Sequence, residues 1–228
     1  MNFQGFDRGL VRFLGQLDKN NNRAWFERNK ARYEAEVREP VLAFIRAIAP
    51  KIERTFPFIL VSDSKVAGSM MRPYRDTRFT SGKLPYKTNV GIHFRHLRGE
   101  DAHAPGLWMH IEPREFWLAV GMWKPDGQTL DKVRRRIVQC PGEWVAARDA
   151  PRFRAVWEVV GDALKRPPRG FEGDHPLIAD IKRKEFLGFR DMGMAELYRD
   201  EVVDRVAAHF AAAKPFMKFL CDALEVGS

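Results

Sequence analysis

The chain has 228 residues, of which 45% are hydrophobic and 30% charged, a balance typical of a globular protein with a sizeable core. Its formal net charge is +9, and residues 66–99 hold seven Lys and Arg against one acid, so an anionic ligand or partner is indicated. Two cysteines without zinc-type spacing give no reason to expect a metal or a cofactor. With no secretory signal and no bilayer-spanning run, we expect a cytoplasmic protein without a membrane partner.

The first third of the chain predicts helices. Residues 7–18 place apolar side chains at helical spacing behind Asp7, a residue suited to cap a first turn. Three asparagines at 20–22 interrupt this pattern, and a second helix is predicted over residues 24–39. Residues 41–53 present another apolar helical face.

The middle of the chain changes to a period of two. Residues 90–95, 107–112 and 116–121 alternate apolar with polar or small side chains, and Pro and Gly separate the runs. This pattern predicts an antiparallel meander with one face against the core and His110 on the other face. The side chains expected to be buried are Ile92, Met109 and Leu118.

The last third predicts helices again, with one short strand. The predicted elements are a helix capped by Thr129, helices over 142–148 and from Pro151 through Val160, a strand over 184–190 and a terminal helix over 195–224. The three arginines at 134–136 are expected to point mostly outward. Since no long linker is visible, we predict a single α+β domain over residues 1–228, helical in its first and last thirds around a central antiparallel meander.

Residues 72–89 form the most informative segment. Five cations within sixteen residues are accompanied by one acid, Asp76, and by interleaved Pro and aromatic residues. Arginine guanidinium groups bind phosphate or carboxylate through two parallel hydrogen bonds, whereas lysine supplies a point charge. We therefore predict an anion-binding site formed by Arg72, Arg75, Arg78, Lys83 and Lys87. The alternative is a structural network in which Asp76 is bridged by Arg75 or Arg78.

A second candidate group lies on the predicted sheet. His110 and Glu112 are two residues apart on a strand, so they share a face and are suited to acid–base chemistry or, with His93 on a neighbouring strand, to metal binding. The alternative is a hydrogen-bonded pair on a half-covered sheet face. Tyr86 is a candidate second proton donor. The supporting residues are expected to be Asp76, Asn89, His93, Asn22 and Arg23.

Three segments resemble a family of conserved hypothetical proteins known as a domain of unknown function. Residues 21–26, NNRAWF, are similar to that family's NNREWF, with Ala24 in place of Glu. Residues 75–89 are similar to its RDTRFxxxKxPYKTN pattern, and residues 110–113, HIEP, lead to Gly121. The resemblance covers nearly the whole chain. It implies one domain and carries no activity with it.

These observations leave the function open between three classes. The leading hypothesis is a site for a phosphorylated or carboxylate small molecule, and whether it performs a reaction is not decided by the sequence. The alternatives are a nucleic-acid-binding module, because basic and aromatic residues are interleaved, and an interaction protein that binds an acidic partner. The chain lacks the P-loop, dinucleotide-binding, nucleophile-elbow and HExxH motifs, so several large enzyme classes lose their usual signature.

Overall fold

The computed structural model of the chain describes residues 3–75, 84–98 and 104–227. Within them, helical segments precede and follow a central sheet, so the predicted α+β arrangement is confirmed. Arg78 and Lys83 of the predicted anion site, together with the supporting residue Asp76, lie outside the described residues.

The N-terminal helices differ in how they begin, since a side chain caps only the first two. They are α1 (Arg8–Lys19), α2 (Arg23–Arg28), α3 (Lys30–Tyr33) and α4 (Glu39–Thr55), with a π-helical turn, Glu34–Arg38, between α3 and α4. The side chain of Asp7 accepts the Gly9 amide hydrogen bond at 2.6 Å, and that of Asn22 accepts the Trp25 amide hydrogen bond at 2.9 Å. The asparagines therefore separate α1 from α2 by capping the second helix. The one helix predicted over 24–39 is divided, because Asn29 lies between α2 and α3 in a non-helical conformation.

The described strands form one six-stranded antiparallel sheet. They are β1 (Ile59–Leu60), β2 (Val90–His96), β3 (Gly106–Ile111), β4 (Phe116–Met122), β5 (Glu158–Val160) and β6 (Phe186–Asp191). Their order is β1-β2-β3-β4-β6-β5, and every neighbouring pair is antiparallel. Strands β2 to β4 are the predicted meander and β6 is the predicted late strand. Neither β1 nor β5 was predicted.

The two faces of the sheet differ as the alternation requires. Ile92 pairs with Met109 and Met109 with Leu118, and these side chains are at most 1% exposed. Together with the apolar faces of the helices they form one hydrophobic cluster. His110 pairs with Trp117 on the opposite face, where both side chains are half-buried. We call this second face the outer face of the sheet.

The C-terminal helices agree only in part with the sequence prediction. They are α5 (Gly127–Gln139), α6 (Pro141–Arg148), α7 (Pro151–Arg154), α8 (Ile178–Ile181), α9 (Met194–Leu197), α10 (Val202–Ala212) and α11 (Lys214–Leu224). The single helix predicted over 195–224 is wrong, since α9, α10 and α11 divide that segment. Pro215 lies in the first turn of α11. Amide groups in the first turn have no intrahelical acceptor, so a proline costs no hydrogen bond there and favours the start of a new helix. Among the described helices, none is long and apolar enough to cross a bilayer.

Two further local predictions were wrong. The helix predicted from Pro151 through Val160 ends at Arg154, because the next apolar residues pair with β6 as strand β5. Thr129 does not cap α5. That helix begins two residues earlier, and Asp126 caps it by accepting the Thr129 amide hydrogen bond at 2.7 Å.

Arg134 also departs from the prediction, since it is only 7% exposed. Its Nε donates to the Ile181 carbonyl at 2.7 Å and its Nη2 to the Arg183 carbonyl at 2.9 Å. The guanidinium group thereby satisfies backbone carbonyls at the end of α8 and holds that end against α5. Arg135, by contrast, lies at the surface and pairs with Asp131.

The structure explains why the family-like pattern has a glycine at position 121. It lies in β4 with φ +112°, a conformation that residues with a Cβ rarely adopt. A Cβ built at Gly121 would lie 2.1 Å from the carbonyl oxygen of Phe186, which belongs to the neighbouring strand β6. A glycine is therefore required here both by the backbone conformation and by the close approach of two strands.

We expect Gly121→Ala to lower the free energy of unfolding by about 2–5 kcal/mol, since strain and overlap add. Gly15→Ala in α1 is the matched control, because no heavy atom lies within 4 Å of its added Cβ. That control should raise the free energy of unfolding by up to about 1 kcal/mol. Urea denaturation of both variants measures the difference, and equal stabilities would contradict the interpretation of Gly121.

Candidate anion-binding site

The two ends of the basic segment lie side by side. The Arg75 amide donates to the Pro85 carbonyl at 2.9 Å, and the Lys87 amide donates to the Pro73 carbonyl at 2.7 Å. Tyr74 and Tyr86 form the antiparallel bridge between these two hydrogen bonds. The residues on either side of the undescribed stretch 76–83 therefore form a short antiparallel ladder.

Asn21 attaches this ladder to the N-terminal helices. Its side-chain amide donates to the Tyr86 carbonyl at 3.0 Å, and its side-chain oxygen accepts from the Tyr86 amide at 3.1 Å. The same carbonyl accepts a hydrogen bond from Arg75 Nε at 2.9 Å. The Tyr86 ring is 2% exposed and stacks on Phe26 with ring centroids 4.0 Å apart. The two longest family-like segments, 21–26 and 75–89, thus meet at one peptide unit.

Next to the ladder lies a cavity of about 480 Å³ beside strand β2. Its walls come from the helical segment 33–42, the loop 64–73, Lys87 and strand β2. Five cationic side chains line it, and within the described residues its lining contains no Asp or Glu. These cations are Arg38, Lys65, Arg72, Lys87 and Arg95. We call this the cationic cavity.

The five cations differ in the partners that they already have. Arg38 pairs with Glu34 at 2.8 Å, and Arg95 donates to the Ala67 carbonyl. No carboxylate in the described part of the chain forms an ion pair with Lys65, Arg72 or Lys87. The positive charge of the cavity is therefore only partly compensated from within these residues.

The titration behaviour of two lining residues reflects this field. Burial lowers the pKa of Lys87, and the neighbouring charges of Arg72 and Arg75 lower it further. Burial, followed by the charge of Arg95, lowers the pKa of His93 to about 4. His93 is therefore neutral at pH 7, and its buried Nε2 has no hydrogen-bond partner among the described residues.

Arg75 belongs to a separate, smaller cavity of about 350 Å³, which is lined by Arg23, Glu27, Tyr74, Pro85 and Tyr86 as well. Arg23 therefore approaches the basic segment, as one of the sequence interpretations had it. Burial raises the pKa of Tyr86, with the neighbouring Tyr74 adding to the effect, so its hydroxyl keeps its proton. Its proposed role as a proton donor stays a prediction.

His110 lies on the outer face of the sheet between two side chains. Its Nε2 is 2.9 Å from Glu112 Oε1, and its Nδ1 is 3.4 Å from Asn89 Nδ2. Since an amide nitrogen only donates, Nδ1 is the acceptor and Nε2 carries the hydrogen that Glu112 accepts. The ring also stacks on Trp117 at 4.3 Å. The acid–base role predicted for His110 and Glu112 stays a prediction, and the pair also fits the alternative of a hydrogen-bonded pair.

The predicted site residues are thus distributed over three places. Arg72, Lys87 and His93 line the cationic cavity, Arg75 and Arg23 line the smaller cavity, and Asn89 joins His110 and Glu112 on the outer face. Asn22 is a helix cap. No group of three or more potential metal ligands occurs among the described His, Cys, Asp and Glu residues.

Sequence reasoning missed four residues of this region: Asn21, Arg38, Lys65 and Arg95. Asn21 stood within the family-like segment, but nothing local signalled that it would bind a backbone 65 residues away. Arg38 lies in the π-helical turn, a feature that often marks functional sites but that propensity does not reveal. Arg95 had a weak signal in the sequence, because it follows His93 by two residues on a predicted strand and therefore shares its face.

The described residues thus form an α+β protein with a cation-lined cavity beside strand β2 of an antiparallel sheet. A family model described as conserved hypothetical protein DUF2461 matches residues 9–219, so the chain belongs to that family. Comparison with curated proteins and with solved structures gives no significant match.

We expect Asn21→Ala to lower the free energy of unfolding by about 1–3 kcal/mol, because the Tyr86 amide loses its side-chain partner. Asn20→Ala is the matched control, since the side chain of Asn20 donates to the Gln16 carbonyl at an exposed position. Thermal or urea denaturation of the two variants checks this. A control that is destabilised as much as Asn21→Ala would contradict the assigned role of Asn21.

The low pKa of His93 predicts a pH dependence of stability. Above pH 6.5 the imidazole is neutral in both states, whereas between about pH 6.5 and pH 4 the unfolded chain binds a proton that the folded protein does not. Stability should therefore fall as the pH falls through this window, by up to about 3 kcal/mol from this residue. His93→Gln removes that contribution. Urea denaturation at pH 7 and pH 4.5 should give a smaller loss for the variant, and equal losses would contradict the prediction.

Proposed function

We propose that the cationic cavity binds a small anionic molecule, and that a phosphorylated compound fits it best. The observation that carries this proposal is the convergence of five cations on one cavity whose described lining holds no carboxylate. Gathering like charges at a partly buried site costs free energy, and an anionic ligand offsets that cost. The lowered pKa of Lys87 supports the same argument.

The size and composition of the cavity favour a phosphate over a carboxylate. Its volume of about 480 Å³ falls in the range of small-molecule sites, roughly 300–1,000 Å³. A phosphate monoester carries close to two negative charges and three acceptor oxygens. It therefore accommodates a planar guanidinium and an ammonium group at once, and here Arg72 and Lys87 would supply them.

The arrangement of the cations favours a small anionic ligand over the two alternatives, a nucleic acid and an acidic protein partner. A nucleic-acid-binding module needs a basic surface that follows several phosphates, and an acidic protein partner needs an exposed basic patch. The cations of Arg38, Lys65 and Arg95 reach one concave space from different segments instead. That arrangement is better suited to a single compact anion.

We expect Lys87→Met to weaken the binding of inorganic phosphate about ten- to one hundred-fold, the loss of one charge-assisted contact. The melting temperature should not fall, because the substitution removes a positive charge that is repelled by the neighbouring Arg72 and Arg75. Lys132→Met, at an exposed position of α5, is the matched control and should bind as the wild type does. Isothermal titration calorimetry at one fixed salt concentration measures all three affinities.

Equal phosphate affinities for the wild type and Lys87→Met would overturn the proposed site. The nucleic-acid alternative would be favoured instead by tight binding of a single-stranded oligonucleotide, with an affinity that falls steeply as salt is raised.

A further inference from the structure

The outer face of the sheet carries aromatic side chains next to the cationic cavity. His93 of β2 pairs with Trp108 of β3, and their rings are stacked with centroids 4.6 Å apart. Two residues further along β3, the ring of His110 stacks on Trp117 of β4, whose centroid is 5.7 Å from that of Phe189 on β6. Apolar rings therefore continue across the outer face from the point where the cationic cavity ends.

These rings enclose a slot of about 180 Å³, lined by Trp108, Trp117, Trp123, Ala119, Leu187 and Phe189 together with one valine. Its described lining contains no charged side chain. Trp123 is 57% exposed at the mouth of the slot, an unusual place for the largest apolar side chain. Ala119 pairs with Trp108 on one side and with Phe189 on the other. Its small side chain leaves space between these two rings and forms the floor of the slot.

The slot and the cationic cavity are adjacent through His93 and Trp108. His93 lines the cavity, Trp108 lines the slot, and the two residues are directly opposite one another on paired strands. Ala119, on the floor of the slot, lies two strands away from His93, and neighbouring strands are about 4.8 Å apart, so a ligand that occupies both places spans at least about 10 Å. That is the span of a compact molecule with an anionic end and an apolar end.

We propose that the ligand of the cationic cavity carries a planar ring that occupies this slot, as a nucleoside monophosphate does. This inference rests on the function proposed above. The volume of the slot fits a planar ring, since a cavity of about 150 Å³ accommodates benzene, and it is too small for a long acyl chain. Indole rings stack on nucleobases with little preference among them, which makes a base-like ring the matching occupant.

The experiment compares three ligands by calorimetry at fixed salt: inorganic phosphate, ribose 5-phosphate and adenosine monophosphate. Adenosine monophosphate should bind roughly five- to one hundred-fold more tightly than ribose 5-phosphate, because one stacked base contributes a difference of that size. Trp123→Ala should remove most of that difference while the affinity for phosphate stays unchanged. Val145→Ala, exposed on α6, is the control and should behave as the wild type does.

Trp108→Ala provides a second variant, and a melting curve establishes that each variant is folded. The inference is overturned if phosphate binds and adenosine monophosphate binds no more tightly than ribose 5-phosphate, and the proposed function then stands alone. If none of the three ligands binds, the proposed function fails and the inference fails with it. A single-stranded oligonucleotide that binds more tightly than the mononucleotide, with steep salt dependence, overturns the inference in favour of nucleic acid.

Discussion

The peptide unit of Tyr86 is the point on which the arrangement of this region depends. Its carbonyl accepts from both Asn21 and Arg75, and its amide donates back to Asn21, so three distant segments meet at one residue. Stacking of the Tyr86 ring on Phe26 fixes the same residue from the core side. Because Lys87 follows directly, its position relative to the cationic cavity is set by these backbone contacts rather than by its own side chain.

The cationic cavity is costly for the folded protein in the absence of an anion. Burial and neighbouring cations act in the same direction on Lys87, and burial acts likewise on His93. Structural ion-pair networks elsewhere in the chain are compensated locally, as where the buried Asp180 binds both Arg148 and Arg183. The cavity residues Lys65, Arg72 and Lys87 have no such carboxylate partner among the described residues, and this distinguishes the two kinds of charge cluster.

The period-two alternation predicted the meander correctly because a half-covered antiparallel sheet needs one apolar and one polar face, so the pairing of Ile92 with Met109 follows from pattern alone. The cap at Asp7 was equally readable. The strand β5 was missed because three residues cannot show a period, and its pairing with β6 is a tertiary effect. In the candidate site, the sequence indicated that the cations of residues 72–89 belong together. It could not indicate that Arg72 and Lys87 line one cavity and Arg75 another, because that depends on where each side chain of the ladder points.

The neutrality of His93 has a thermodynamic consequence for any anion held beside it. An anion bound in the cationic cavity would place a negative charge near the imidazole, so binding would raise the pKa of His93 above about 4. Linkage is reciprocal, and an anion that favours protonation is itself bound more tightly by the protonated protein. A fully ionised anion such as sulfate would therefore be bound together with a proton. Its affinity would rise on acidification, and the heat of binding would depend on the ionisation enthalpy of the buffer.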